Sequence, residues 1–330
     1  MIRKMIDTAP NKTEMQNFFD KHDATRMLLS VLSDPKHTII EDNLLNEYIE
    51  FGISLLDEGN QNVQKAIFNY CNIHSKSEVM FAKFHSIIYE QIDYLQRKAE
   101  MKKEGIRTAE LEHAHSVKSL ILEKLLRFLQ LFTEGHFLDL QNYLRHQTNS
   151  RNRYNLVEAV TELLKTYYSD LVQANYENIV KCLDTLNEFV QGPCYENQLA
   201  LIDGKFFEVV NGLLIKDIKT TKAGVNRRRS EKKRLVRNST YFVSSYSANP
   251  IFNSAQQNRE LEAWMLARLK YKVLILVSSL FERSSSAVIK RIMRSLPLDV
   301  LKKNLTKIYK KYKRMYGDNY AMEALKHVFI

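Results

Sequence analysis

The sequence predicts an all-α fold, an armadillo-like α-solenoid of irregular helical repeats with a disordered basic loop. Three observations predict it. Nine glycines and five prolines are few for 330 residues; sheets with tight turns generally need more. Apolar residues recur at helical spacing and show no convincing strand-like alternation. Three of the helices marked this way end at a glycine shortly after an acidic residue: Asp57 and Glu58 before Gly59, Glu134 before Gly135, and Glu188 before Gly192. Helix–turn–helix units repeated on short links build solenoids of this kind, whereas one bundle of about a dozen helices is unusual.

The elements follow in order. Residues 16–32 read as a helix, with a turn at 33–38. Residues 43–60 carry apolar positions 44, 45, 48, 51, 53, 55 and 56, one helical face, closed by Gly59 and Asn60. Two helices follow, with a polar joint near 74–77. The charged stretch 101–113 has few apolar residues and reads as a linker. Residues 116–132 are strongly helical and stop at Gly135. A short helix over "FLDLQNYLRHQ", a polar loop "TNSRNRYN" and two long amphipathic helices come next. The second of these ends at Gly192-Pro193, where glycine accepts the left-handed cap and proline cannot continue the helix. Two short helices reach Asp217. Residues 219–259 are first basic, then rich in Ser, Asn and Gln, and read as loop or disorder. Residues 260–330 return to helix, broken at Pro297. The domain organisation is therefore N-terminal helical repeats over 16–100, a linker at 101–112, a central helical domain over 113–218, a basic and polar linker at 219–259, and C-terminal helices over 260–330.

Charge narrows the partners. The net charge is +11, but residues 219–237 hold nine Lys/Arg against one Glu, so eight of those charges come from one segment. The rest is nearly balanced, and nucleic acid is not favoured as a partner. The segment lacks interleaved aromatics for base stacking. It reads either as a solvated loop or as an electrostatic contact with an acidic membrane surface or acidic protein. The stretch "LKKNLTKIYKKYKRMY" sets Leu305, Ile308 and Tyr312 on one face of a basic helix, either a packed terminal repeat or a membrane-surface helix. Three cysteines, Cys71, Cys182 and Cys194, fit no metal spacing and suit packing in a reducing compartment. The opening residues lack the apolar run of a secretory signal, and no stretch approaches the roughly 20 apolar residues of a membrane span. The expected location is cytoplasmic.

Catalytic motifs are missing: there is no phosphate loop, dinucleotide fingerprint, nucleophile elbow or His-Glu-x-x-His. The chain is expected not to be an enzyme. His113 and His115, two apart on a helix, point to different sides and read as solvated. The glutamates near helix ends are more informative. A carboxylate at a helix C-terminus is disfavoured by a few tenths to about 1 kcal/mol. Two readings fit Glu134 and Glu188. They are exposed and the cost is tolerated, or a bound cation neutralises them, with free carbonyls at the helix ends adding the oxygens that Ca²⁺ prefers. His136 and Gln191 stand where they could orient such carboxylates.

The stretches "LLRFLQLFTEGHFLDLQNYLRHQT" and "LNEFVQGPCYENQ" resemble the intracellular calcium-release channels, the inositol trisphosphate and ryanodine receptors. The likeness is to their receptor-homology-associated (RIH-associated) domain, here 113–218. "ISLLDEGNQNVQKAIF" resembles the helical segment before that domain, and residues from Leu269 onward are weakly similar to the stretch after it in inositol trisphosphate receptors. The resemblance implies a solenoid at the cytosolic face of the endoplasmic reticulum membrane. It matches Glu134 and Glu188 to ligands of an activating calcium ion, His136 and Gln191 to supporting positions, and assigns a third ligand to a backbone carbonyl beyond the pore. Thr133 and Phe137 depart from the family pattern, which has a cysteine and an asparagine there.

From this follows an expected function: a cytosolic regulatory module contributing a calcium half-site, Glu134 and Glu188, that couples to pore gating. Calcium would bind weakly to the chain alone. Partners would be other channel segments or subunits, in a tetramer if the chain is part of a channel. The pore helices and inositol-phosphate-binding region are absent from these residues, so the chain is expected to be a channel piece, a truncated product or a free-standing solenoid. The alternative function is a scaffold binding a protein partner or an acidic membrane, without catalysis.

Overall fold

The computed structural model describes residues 2–35, 42–171, 173–216 and 254–303, together with Thr306 and Lys310. Among the described residues there is no strand. The helices are α1 (Ile2–Asp7), α2 (Lys12–Lys21), α3 (Ala24–Leu32), α4 (Asp42–Leu56), α5 (Gln61–Ile73), α6 (Ser77–Lys103), α7 (Ala109–Thr133), α8 (Leu138–Arg145), α9 (Leu156–Ser169), α10 (Tyr176–Val190), α11 (Tyr195–Asp203), α12 (Phe206–Ile215), α13 (Ser254–Ser279) and α14 (Ser286–Ser295).

Each helix packs against the one three places further along the chain. The first helices form one row, α1 on α4, α4 on α7, α7 on α10 and α10 on α13. The second row is α2, α5, α8, α11 and α14, and the third is α3, α6, α9 and α12. This is an α-solenoid of three-helix units. One continuous apolar core runs through it from Ile6 to Ile292, crossing every row. An amphipathic helix cannot bury its apolar face alone, so each unit is completed by its neighbour.

Local chemistry starts and stops these helices. Side-chain oxygens of Asn11, Asn60, Asn155 and Ser285 accept from backbone N–H groups in the first turns of α2, α5, α9 and α14. The three acid-then-glycine stops all hold their glycine in the left-handed region, with φ of 70° at Gly59, 78° at Gly135 and 81° at Gly192. Two of these glycines also answer to close packing. A Cβ on Gly59 would sit 3.3 Å from Glu134 Cβ, and one on Gly192 would sit 3.1 Å from His136 Cβ. The turns of successive units are therefore stacked directly on one another.

Several expected boundaries shift. The helix read over 16–32 is broken in two, because Asp23 takes a left-handed φ of 61°, a conformation that Asp tolerates better than most residues. The linker expected over 101–112 narrows to residues 104–108, since α6 and α7 extend toward each other. Lys98 and Thr108 both reach Glu112 and support the start of α7. The last helix before the C-terminal region begins at Ser254 rather than at 260. The basic segment 219–237 and the face formed by Leu305, Ile308 and Tyr312 lie outside the described residues. The polar loop 148–155 is anchored by Glu78, whose carboxylate accepts from the backbone N–H groups of Arg151 and Asn152 at 3.0 and 3.1 Å. These bonds hold the Glu78 carboxyl below its ordinary pKa.

The three cysteines are buried and unpaired with one another. Burial pushes each thiol up, Cys194 to about 11 and Cys71 and Cys182 further still, as suits packing residues rather than nucleophiles. His115 is not solvated as expected. Its ring stacks on Tyr94 at 4.0 Å and its Nε2 lies 2.8 Å from Gln91 Oε1, while His113 is exposed.

Candidate cation site

A single device recurs at four turns between first and second helices, those after α4, α7, α10 and α13. Gln16, on α2, donates its Nε2 to the carbonyls of Ser54 and Asp57 at the end of α4, at 2.9 and 3.0 Å. Gln64, on α5, donates to Leu131 and Glu134 at the end of α7, at 2.9 and 2.8 Å. Gln141, on α8, donates to Glu188 and Gln191 at the end of α10, at 2.8 and 2.9 Å. Gln198, on α11, reaches Ser279 and Glu282 at the end of α13, both at 3.2 Å. All four glutamines are 0–1% exposed. A helix C-terminus leaves carbonyls without intrahelical donors. Here the preceding unit supplies the donor and fixes the register between units.

These clamps set Glu134 and Glu188 on adjacent turns. Glu134 is the C-cap of α7 and Glu188 lies in the last turn of α10. Burial is the largest cause that raises the Glu188 carboxyl, to about 7, and the Glu134 charge is the second; Arg127 and Asn187 act in the opposite direction. The Glu134 charge thus acts on a Glu188 carboxyl that is itself partly desolvated. Glu188 borders a polar groove of about 190 Å³ between α7, α10 and α13, with Gln130, Asp184, Asn187 and Lys272 on its walls. Lys272 pairs with Asp184 at 2.7 Å.

Glu134 has a cationic neighbour. Arg127 Nη1 lies 3.3 Å from Glu134 Oε2, while Nη2 lies 3.9 Å from Asp57 Oδ1 on the adjacent turn. Asp57 in turn receives Lys12 at 2.8 Å.

The residues expected at the site are placed as follows. Glu134 and Glu188 lie on adjacent turns, where the Glu134 charge acts on the Glu188 carboxyl. His136, with a left-handed φ of 64°, packs on the Gly192 backbone. Gln191 Oε1 accepts from Asn187 Nδ2 at 3.0 Å, and Asn187 Oδ1 accepts from Ser279 of α13 at 2.9 Å. Both residues therefore stiffen the turns. The carbonyls expected to be free are not, since Gln64 and Gln141 already donate to them, leaving each carbonyl one lone pair. Thr133 is buried and donates to Gln130 O at 3.1 Å. Phe137 sets its ring edge-on to Phe68 at 6.4 Å, so apolar packing holds the loop that follows Glu134. Sequence reading gave Arg127, Asp57 and Asn187 no role at the site, and it missed the glutamine clamps. The clamps had a signal: a glutamine stands at the fourth or fifth position of α2, α5, α8 and α11.

As a set of donors, the site suits a hard divalent cation in part. Two carboxylates lie within each other's field, and a cation would relieve their repulsion. Among the described residues, the buried side-chain oxygens of Gln64 and Gln141 lack a hydrogen-bond partner, and they belong to the same two clamps. No group of three or more His, Cys, Asp or Glu side chains able to hold a metal occurs among the described residues. Two carboxylates alone make a weak site.

The burial of Glu188, with the Glu134 charge second, has a measurable consequence. With its folded pKa raised to about 7, Glu188 keeps its proton in the native state where the unfolded chain has lost it. Stability at this group therefore falls as pH rises from about 4.5 to 7 and stays reduced above that. Glu188→Gln should leave thermal unfolding in chelator nearly unchanged at pH 5. At pH 8 it should stabilise by about 1–2 kcal/mol, a figure discounted for partial exposure. Equal effects at both pH values would contradict the assignment.

Residues 116–214 match the family described as "RyR and IP3R Homology associated". The chain is also similar to the inositol 1,4,5-trisphosphate receptor itr-1 of Caenorhabditis elegans, 34% identical over 110 residues, which cover 30% of this chain and 4% of that receptor. The family resemblance read from the sequence is borne out over residues 116–214, a region that contains α8 to α11, most of α7 and α12, and both glutamates. The matched stretch is only a small fraction of the receptor's length. Among the described residues, no helix is long and apolar enough to cross a membrane.

Proposed function

We propose that this solenoid is a regulatory part of an intracellular calcium-release channel at the cytosolic face of the endoplasmic reticulum. In this reading Glu134 and Glu188 hold a calcium ion jointly with other segments or subunits of the channel. The observation that carries it is the placement of two carboxylates of like charge on adjacent stacked turns, the charge of one raising the other, within the region that matches the receptor family. The ion would supply positive charge between two units that otherwise repel there. A partner element giving further oxygens in only one gating state would make that state the tighter binder, and calcium would then shift the equilibrium toward it. Catalysis has no part in this reading.

Calcium titration of the chain by calorimetry tests it. Expected is weak binding, with Kd on the order of 10⁻⁴–10⁻³ M, that Glu134→Gln/Glu188→Gln abolishes. Affinity should fall as pH drops below about 7, because calcium must displace the Glu188 proton. A double variant that binds calcium like the wild type would remove the site.

A further inference from the structure

The ion pair at Glu134 points to a role that the cation reading does not include. Arg127 sits on α7 two turns before Glu134, and its guanidinium spans two units. One nitrogen faces Glu134 at 3.3 Å and the other faces Asp57 of the preceding turn at 3.9 Å. The three side chains are 32–40% exposed, so they can exchange partners without opening the core. The fork geometry of arginine permits both contacts, which a lysine could not hold together.

A divalent cation at Glu134 and Glu188 would meet this guanidinium in the same space, and two cations on one carboxylate repel. Asp57 gives Arg127 another acidic partner one unit away. It is held in place there by Lys12 at 2.8 Å, by the Gln16 clamp on its carbonyl at 3.0 Å, and by the stacking of Gly59 against Glu134.

We propose that Arg127 is a built-in competitor for the cation site, bridging Glu134 when the cation is absent and moving onto Asp57 when it binds. The exchange conserves charge pairing: Glu134 trades a guanidinium for a divalent ion, and Asp57 gains what Glu134 releases. It sets the calcium threshold upward and transmits occupancy to the neighbouring unit through Asp57. This inference rests on the Glu134–Glu188 reading and adds its regulation.

Calcium chloride titrations of the full 330-residue chain into the millimolar range test it, with Glu134→Gln/Glu188→Gln as the control. Arg127→Gln and Arg127→Met, the second keeping the aliphatic stem, should each bind calcium about three- to tenfold more tightly. Asp57→Asn should weaken binding about twofold in the wild type and have no effect in the Arg127→Gln background, because a coupled pair is not additive. That pattern supports the proposal. Unchanged affinity in both Arg127 variants, with the glutamates still required, overturns the competition alone. An equal Asp57→Asn effect in both backgrounds overturns the movement onto Asp57. No glutamate-dependent binding in any variant overturns the cation reading and this inference together.

Discussion

Gly52→Ala should destabilise the chain by about 2–3 kcal/mol, a large cost for one added methyl group. Gly52 lies inside α4, where an alanine would ordinarily favour the helix by up to about 1 kcal/mol. The new Cβ would stand 2.3 Å from Phe128 Cε2 and 2.6 Å from Cζ. The Phe128 ring is fully buried, edge-on to Phe84 at 6.1 Å and to Phe132 at 4.7 Å. It has nowhere to rotate, so α4 and α7 must separate. That junction also carries Asp57, Gly59 and Glu134, so the cation site should loosen with it. Denaturant unfolding measures the loss, and Phe128→Leu in the same chain should restore part of it. A Gly52→Ala chain as stable as the wild type would mean that the α4–α7 approach is not as close as described.

Gln198→Leu should cost about 2–4 kcal/mol, and the loss should be local. Gln198 Nε2 lies within 3.0–3.2 Å of the carbonyls of Val190, Gly192, Ser279 and Glu282. Leucine has nearly the same volume but no donor, so buried carbonyls at the ends of α10 and α13 lose their partner, at roughly 1–3 kcal/mol for each one left unsatisfied. In a solenoid each unit touches only its neighbours. Hydrogen exchange should therefore show α13 and α14 opening first while α4–α9 stay protected. Uniform loss of protection along the chain would show that the clamp does not act at one junction.

Much of this architecture was legible in the sequence. The helical spacing of apolar residues, the scarcity of glycine and proline, and the acid-then-glycine stops are local signals, and a helix is a local structure with all its main hydrogen bonds inside one segment. The glycines at 59, 135 and 192 marked three turns correctly because a left-handed cap selects glycine whatever surrounds it. The break at Asp23 was harder to see, since Asp is tolerated both within and outside the left-handed region. The early start of α7 was also hidden, because its first turns are charged and gain support from Lys98, a residue of the previous helix.

The site divides in the same way. The sequence alone marked Glu134 and Glu188 as misplaced charges, because the cost of a carboxylate at a helix end depends only on its own helix. Which charges meet is a property of unit stacking. Only the tertiary structure put Arg127 between Glu134 and Asp57, assigned the helix-end carbonyls to Gln64 and Gln141, and let Glu134 raise Glu188. The Arg127–Glu134 pair is seven positions apart, but the clamps join residues 47 to 70 positions apart, and electrostatic coupling falls off with distance in space, not along the chain.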